Sequence, residues 1–244
     1  MNRIQRLAAW SYGCYAWLVF GLIMSLFGCL IALTGRPALA RPIARIATRI
    51  IFFLVDVPLT VHGLNRLPDR PHILLVNHTS FLDGLVLSAL LPPRPGYAFT
   101  VRQQYRRQAP LWPLLKALGT ILFKDDESPR HTSNLALLSA ALKRGENLIL
   151  FPEGGITSQA GLKPFHSGAF IVAASEQIPL VIAGLHGTRE ALRLGTWLPR
   201  RVAITLEIGP VLMPGAASAL SPQQLIDAAR EAMQPLTREG SSAA

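Results

Sequence analysis

From residue 56 onward, short apolar runs alternate with longer stretches of helical pattern, the signature of an α/β fold. The runs near 57–62, 73–77, 97–101, 120–124, 147–151, 179–185 and 202–209 read as strands. The stretches near 80–91, 110–118, 131–144, 166–177 and 221–234 read as helices. Breakers agree with these limits: Pro92-Pro93 ends the first helix, Gly145 the third, and Ser221-Pro222 opens the last. Two of the runs, Ile73-Leu74-Leu75-Val76 and Leu148-Ile149-Leu150, are apolar at every position, as buried strands are.

The residues ahead of this pattern are of another kind. No charged residue lies between Leu7 and Gly35, and Arg3, Arg6 and Arg36 close the two ends. The run exceeds the ~20 apolar residues that cross a bilayer and the ~7–15 of a cleaved signal peptide, so a retained membrane anchor is expected. Trp10, Tyr12, Tyr15 and Trp17 crowd its first half, as interfacial aromatics do. Beyond it, Arg41, Arg45 and Arg49 recur every four residues and share one helix face, with Ile43, Ile46, Ala47, Ile50 and Phe53 largely elsewhere. Two readings stand side by side here: an amphipathic helix at a lipid surface, or a second embedded helix leading into the domain. Positive flanks tend to stay cytoplasmic, which puts the domain on the cytoplasmic side of an inner or cytoplasmic membrane. Cys14 and Cys29 are separated by ~22 Å of helix, so they cannot pair within it, and no metal or redox motif is present.

Composition narrows the partners. Lys+Arg number 24 against 14 Asp+Glu, a net charge of +10 that favours anionic partners. The chain is also 50% hydrophobic and only 16% charged. That is too apolar for a typical nucleic-acid binder, and no aromatic-basic binding motif accompanies the charge. Membrane lipid is the expected partner and nucleic acid is not. The expected division is an anchor with an amphipathic helix over 1–55, a catalytic domain over 56–235 and a disordered tail over 236–244.

Two strings sit just past buried strands: Asn77-His78-Thr79-Ser80-Phe81-Leu82-Asp83 and Phe151-Pro152-Glu153-Gly154. In open α/β sheets the crevice beyond the strand ends is where ligands bind. A neutral imidazole removes a proton from a hydroxyl near pH 7, and a carboxylate on its other nitrogen fixes the tautomer and stabilises the cation formed. The pattern suggests acid–base chemistry without a metal or a covalent nucleophile. Alone, the His78/Asp83 spacing fits a plainer reading, with Asp83 at the positive end of its helix and His78 capping a strand. The second string weighs against that. Pro152 ends its strand sharply, Glu153 follows at the crevice, and Gly154-Gly155-Ile156-Thr157-Ser158 forms a turn whose amides suit an anion. His62, His72 and His131 read as surface or strand-edge residues, and His166 and His186 as packing residues near the crevice. Arg102, Gln103, Arg106 and Arg107 form a basic patch, by default a solvated face, with lipid headgroups or an acidic carrier as its functional reading.

Asn77-His78 with Asp83, Phe151-Pro152-Glu153-Gly154 and the proline-led strand Ile178-Pro179-Leu180-Val181 resemble, in order and spacing, the glycerolipid acyltransferases of the PlsC type. That family includes the 1-acylglycerol-3-phosphate acyltransferases, and the resemblance covers roughly residues 56–212. The stretches Leu162–Phe170, Gly187-Thr188-Arg189 and Trp197–Arg201 look like one subgroup of it. The resemblance implies that His78 is the general base on an acceptor hydroxyl and that Asp83 orients it. The hydroxyl attacks an acyl thioester of coenzyme A or acyl carrier protein, these being donor substrates, with no bound cofactor. No acyl-enzyme is expected, since neither G-x-S-x-G nor a suitable cysteine is present. Glu153, Gly154 and Gly155 would help form the acceptor site, with Asn77 supporting the turn.

Two departures bear on the acceptor. The family's second motif usually ends in an arginine assigned to the acceptor phosphate, where this chain has Asp125 after Lys124; its third motif commonly continues threonine-arginine, where this chain has Gly155-Ile156. A carboxylate there repels a phosphate dianion, and Lys124, Lys163 and Arg189 are the candidate replacements. The expectation is a membrane-bound α/β enzyme with a mixed, largely parallel sheet flanked by helices, preceded by a transmembrane or amphipathic helical anchor. It would acylate a lysoglycerolipid, as in 1-acylglycerol-3-phosphate to phosphatidic acid. The alternatives are a lysophospholipid or lyso-ornithine-type acceptor, or a non-catalytic lipid-binding relative.

Overall fold

The computed structural model describes residues 2–109, 111–124, 132–214 and 220–238. Its strands are β1 (Leu59–His62), β2 (Ile73–Val76), β3 (Tyr97–Arg102), β4 (Ile121–Phe123), β5 (Asn147–Leu150), β6 (Leu180–His186) and β7 (Ile204–Leu212). They form one sheet in the order β1-β7-β6-β2-β5-β3-β4. From β6 to β4 all neighbours are parallel, whereas β7 is antiparallel to β6 and β1 follows β7. The sheet is therefore mixed and largely parallel, with each expected strand present to within a few residues.

Flanking it are α3 (Asp83–Leu90), α4 (Trp112–Ala117), α5 (Thr132–Lys143), α6 (Gly168–Glu176), α7 (Thr188–Ala191) and α8 (Pro222–Thr237). Successive strand residues point to opposite faces, and each face has its own core. Leu74, Val76 and Ile149 pack with Val86 and Leu87 of α3; Ile73, Leu75, Leu148 and Leu150 pack with Leu138, Phe170 and Leu225 of the helices opposite. Burial on both faces is why β2 and β5 are apolar throughout, each large side chain contributing ~1.5–3 kcal/mol. Helix α8 runs past the expected boundary at 235, because Leu236 lies against Gly184 and Gly209, where a Cβ would collide with it. Residues 239–244 and His131 lie outside the described residues.

His72 departs from its expected surface position: it is only 2% exposed. Its Nδ1–H donates to the Arg70 carbonyl (2.8 Å), which leaves Nε2 to accept from the Tyr97 hydroxyl (2.8 Å). Burial lowers the His72 imidazole below its ordinary value of 6.5, against an opposing effect of the Arg70 hydrogen bond. The unfolded chain therefore binds a proton that the folded chain refuses, and this stability is present above about pH 6.5 and lost as pH falls through the folded value. Thermal unfolding should show the midpoint falling from pH 7 to pH 5, and less steeply in His72→Gln.

Ahead of the sheet, α1 (Arg3–Thr34) and α2 (Pro37–Leu54) form a helical pair turning at Gly35, whose φ is +57°. Asn2 and Gln5 make a reciprocal capping box on α1, and Pro37 opens α2. The pair shares the domain's core: Ala16, Val19 and Phe52 belong to the same cluster as Leu74. Helix α1 lies along the domain. The Tyr12 hydroxyl donates to the Val55 carbonyl (3.0 Å), Trp17 Nε1 donates to the Trp197 carbonyl (2.6 Å), and Ile31 is buried with Ala40, Ala44 and Ala117.

Of the three arginines on one face of α2, Arg41 and Arg45 turn inward and Arg49 stays exposed. Arg41 donates to the Leu118 and Pro95 carbonyls and pairs with Glu146 at 3.5 Å, while Arg45 donates to the Ala89 carbonyl. Carbonyls near the ends of α3 and α4 need donors, and cations suit them. Leu39, Ile46 and Phe53 are left exposed on the outside of α2.

Candidate active site

Because β2, β5, β3 and β6 run parallel, the residues that follow them gather at one edge of the sheet. His78 follows β2, Phe151 to Gly155 follow β5, Arg102 ends β3, and Thr188-Arg189 follow β6. At the centre, His78 Nδ1 is 2.9 Å from Asp83 Oδ2. A carboxylate only accepts, so Nδ1 carries the proton and Nε2 keeps a free lone pair for a substrate proton. The same Asp83 oxygen accepts from the Thr79 and Ser80 amides at 2.8 and 3.0 Å. Asp83 is fully buried in the first turn of α3, where a carboxylate meets the positive end of the helix. Both readings of that residue thus coincide: the helix end holds the carboxylate, and the carboxylate holds the imidazole. The His78 ring also stacks on Phe151, with centroids 4.0 Å apart and planes 15° from parallel. Carboxylate and aromatic face together fix ring position and tautomer.

Glu153 ties the two motifs together. It is 3% exposed; Oε1 accepts from the His78 amide (2.8 Å) and Oε2 from the Lys163 amide (2.9 Å). Both carboxylate oxygens are thereby committed to the backbone, so Glu153 sets the position of the histidine turn against the loop that follows it. Asn77, also fully buried, exchanges two hydrogen bonds with the Leu185 backbone and fixes β2 to β6 beneath the site. Thr79 bonds Thr188 across the same gap at 2.8 Å, and the Ser80 hydroxyl donates to the Leu192 carbonyl (2.9 Å). Gly154 has φ of +68°, and a Cβ there would run into the His166 imidazole, so the turn requires glycine twice over.

Around this turn the cations converge. Lys163 Nζ donates to the Gly155 carbonyl (2.8 Å), Arg102 Nη2 to the Gly154 carbonyl (3.1 Å), and Arg189 Nη1 to the Thr157 carbonyl (2.6 Å). Gly155 faces both Arg102 and Lys163, whose cationic nitrogens lie 3.7 and 4.0 Å from where its Cβ would stand. From behind, Arg230 of α8 donates to the Lys163 and Leu162 carbonyls and holds the loop.

The structure brings together His78, Asp83, Asn77, Glu153, Gly154, Gly155, Lys163 and Arg189. It does not bring Lys124 to them: that residue follows the edge strand β4, three strands and ~14 Å from β2, with its backbone held by the Asn134 side chain. Asp125 lies outside the described residues. His186 sits beside Arg238 at the end of α8, its imidazole lowered first by burial and then by that arginine. Arg102, expected in a solvated patch, is exposed as expected, and its guanidinium also reaches the Gly154 carbonyl at the site. Its place at a strand end was the only sequence signal for this.

Comparison with known proteins agrees with the geometry. The Acyltransferase family model matches residues 58–184, which contain both motifs. The 1-acyl-sn-glycerol-3-phosphate acyltransferase of Saccharomyces cerevisiae is 30% identical over 168 residues, covering 66% of this chain and 53% of that protein. The human 1-acyl-sn-glycerol-3-phosphate acyltransferase alpha is 26% identical over 170 residues, covering 68% of this chain and 58% of that protein. The chain thus spans a little over half the length of these relatives. In fold it is similar to the crystal structure of the 1-acyl-sn-glycerophosphate acyltransferase PlsC from Thermotoga maritima, with a TM-score of 0.78, 18% identity and coverage of 96% of this chain and 95% of that one. With more than half its length, both site motifs included, matched by the family model, the chain belongs to the Acyltransferase family.

Proposed function

We propose that this protein is an O-acyltransferase that moves a fatty acyl group from a thioester to the free hydroxyl of a lysoglycerolipid, with 1-acylglycerol-3-phosphate as acceptor and phosphatidic acid as product. The observation that carries this reading is the His78–Asp83 pair, with a fully buried carboxylate and an imidazole that is stacked on Phe151 and 22% exposed. Nε2 takes the proton from the acceptor hydroxyl as its oxygen attacks the thioester carbonyl. The tetrahedral intermediate then expels the thiolate, which takes the proton back from His78. Asp83 stabilises the imidazolium between these steps, and no metal or covalent enzyme intermediate is needed. The donor is coenzyme A or an acyl carrier protein, the latter suited to the basic residues beside Arg102.

The acceptor phosphate is assigned to Arg102 and Lys163, with Arg189 one loop further out. These cations stand at the turn where the family's arginine would be at position 156, and the similar yeast and human 1-acyl-sn-glycerol-3-phosphate acyltransferases favour a phosphate acceptor. Ile156 keeps a second reading in play, a lysophospholipid or lyso-ornithine-type acceptor. A purely lipid-binding role would give no reason for a base held by its tautomer.

Purified protein offered both donor classes against a panel of lyso-acceptors, with His78→Ala as control, tests the proposal. Histidine-dependent product from lysophosphatidic acid supports it, product only from another lyso-lipid selects the second reading, and no product with any acceptor overturns it. Arg102→Ala should raise KM for lysophosphatidic acid roughly 10-fold, the worth of a charged hydrogen bond. It should leave KM for an uncharged monoacylglycerol unchanged.

We infer further that the helical pair lies in one leaflet, with the domain on the cytoplasmic side as the arginines flanking α1 suggest. Between Tyr12 and Ile31, both docked on the domain, α1 rises ~28 Å, nearly the ~30 Å of a hydrocarbon core. The Arg201–Asp56 pair flanks the first docking point and Arg41–Glu146 lies by the second. An α1 standing upright would carry both charged pairs into lipid. Lying flat, it presents Leu18, Leu22, Leu26 and Leu33, and α2 presents Ile46 and Phe53, to acyl chains.

A further inference from the structure

The loop that carries Lys163 is held from a part of the chain outside the family match. Residues 151–167 form neither helix nor strand, and segments that long without regular structure are usually functional or disordered. This one is pinned. Two hydrogen bonds close its neck, from the Lys163 amide to Glu153 Oε2 (2.9 Å) and from the His166 amide to the Pro152 carbonyl (2.8 Å). Helix α8 supplies the rest. Leu225, Ala229 and Met233 fall on one face and are buried in the same core as Ile73 and Leu75, which fixes the helix. From beside Ala229, Arg230 reaches the loop: Nη1 donates to the Lys163 carbonyl (2.7 Å) and Nη2 to the Leu162 carbonyl (2.8 Å). Its guanidinium carbon lies 5.8 Å from the centre of the Phe165 ring, which in turn stacks on the buried Phe170 of α6.

Lys163 is thereby fixed at three points: its amide, its carbonyl, and Nζ on the Gly155 carbonyl (2.8 Å). A lysine ammonium rides on a flexible four-carbon stem, so where it points depends on how firmly its backbone is held. A guanidinium is a rigid planar fork, and two bonds to successive carbonyls set direction as well as position. We propose that Arg230 is a positioning residue for the acceptor headgroup: by fixing the Lys163 backbone it aims the Lys163 ammonium at a phosphate, and so favours phosphate-bearing acceptors over uncharged ones. The proposal rests on the assignment of the acceptor phosphate to Arg102 and Lys163. It makes the C-terminal helix, which lies beyond the matched residues 58–184, part of the specificity of the site. The Arg230 charge is itself engaged by the two carbonyls and the face of Phe165, so its influence runs through Lys163.

The full chain carrying Arg230→Met tests this, because methionine keeps an unbranched stem against Phe165 and removes the fork. KM for lysophosphatidic acid should rise roughly fivefold at nearly unchanged kcat, the pattern of lost binding in a residue that acts through its neighbours. KM for an uncharged monoacylglycerol should stay where it is. Where no acceptor is turned over, equilibrium binding of the same two lipids in detergent micelles takes the place of KM. Equal rises for the two lipids, or a lower melting temperature with no change in preference, mark a merely structural arginine and overturn the proposal. Arg230→Lys keeps the charge without the fork and should leave most of the rise in place; full recovery by lysine assigns the effect to charge alone and overturns the positioning role. In a Lys163→Met background, Arg230→Met should add nothing further, as for residues that act as one unit, whereas additive effects overturn the proposal. Lys163→Met with unchanged KM for lysophosphatidic acid overturns the phosphate assignment on which it rests. Amide hydrogen exchange over 160–166 needs no turnover and separates the two failures: it should quicken in Arg230→Met, and unchanged exchange overturns the hold on the loop whatever the acceptor.

Discussion

Replacing His78 with alanine lowers turnover by roughly 10²–10⁴-fold, the contribution of a positioned general base, and leaves the protein folded. The two effects separate because the side chain and backbone of His78 do different work. In the proposed reaction the imidazole supplies Nε2 to the acceptor, and the side chain is partly open to solvent. The amide, retained in alanine, keeps its 2.8 Å hydrogen bond to Glu153 and with it the link between the turns after β2 and β5. Steady-state kinetics beside a thermal melt checks this: a low kcat at unchanged melting temperature and near-normal acceptor KM is the expected result. Turnover close to normal would remove the general-base role.

Asp83→Ala should damage both activity and fold. One oxygen, Oδ2, accepts from His78 Nδ1 and from the Thr79 and Ser80 amides. Removing it orphans two buried N–H groups at ~1–3 kcal/mol each, so about 2–6 kcal/mol of stability is lost, together with most of the activity that depends on a held imidazole. Asp83→Asn separates the two functions. Since a single oxygen takes all three hydrogen bonds, an amide with its carbonyl in that place keeps them, and His78 keeps its proton on Nδ1. What disappears is the negative charge that stabilises the imidazolium in the transition state, so kcat should fall by roughly 10²-fold or more. The amide NH₂ falls where Oδ1 has no partner, at a smaller stability cost than alanine. Denaturant unfolding and kcat on the two variants should rank the stability loss Ala above Asn while both lose activity. Equal stability of all three proteins would refute the assigned network.

The parts of the fold that were legible in the sequence were those fixed by local pattern. Strands β2 and β5 declare themselves because burial on both faces leaves no polar position. Helix α8 declares its start through the Ser221 capping box and Pro222. The His78–Asp83 contact was legible for the same reason, since a turn of five residues leading into a helix closes on itself. Helix α7 was not, being too short to show a period. The spacing of Arg41 and Arg45 told that they share a face of α2, but not that both turn inward to backbone carbonyls. His72 reads as an ordinary strand-edge residue until Tyr97, from another strand, is set against it.

By itself the sequence determined the α/β class, the strand and helix sites, the long apolar helix and the histidine–aspartate pair that the structure brings into contact. All of these depend on neighbours along the chain. Only the tertiary structure decided which cations stand at the turn after β5, because that follows from strand order. With β3 beside β5, Arg102 lies within reach of Gly154, while β4 at the edge carries Lys124 away. It alone showed Glu153 spending both oxygens on the backbone, and α1 lying against the domain along its length. These are contacts between segments far apart in the chain, and hydrogen-bond reach and close packing exist only once the sheet has set the distances.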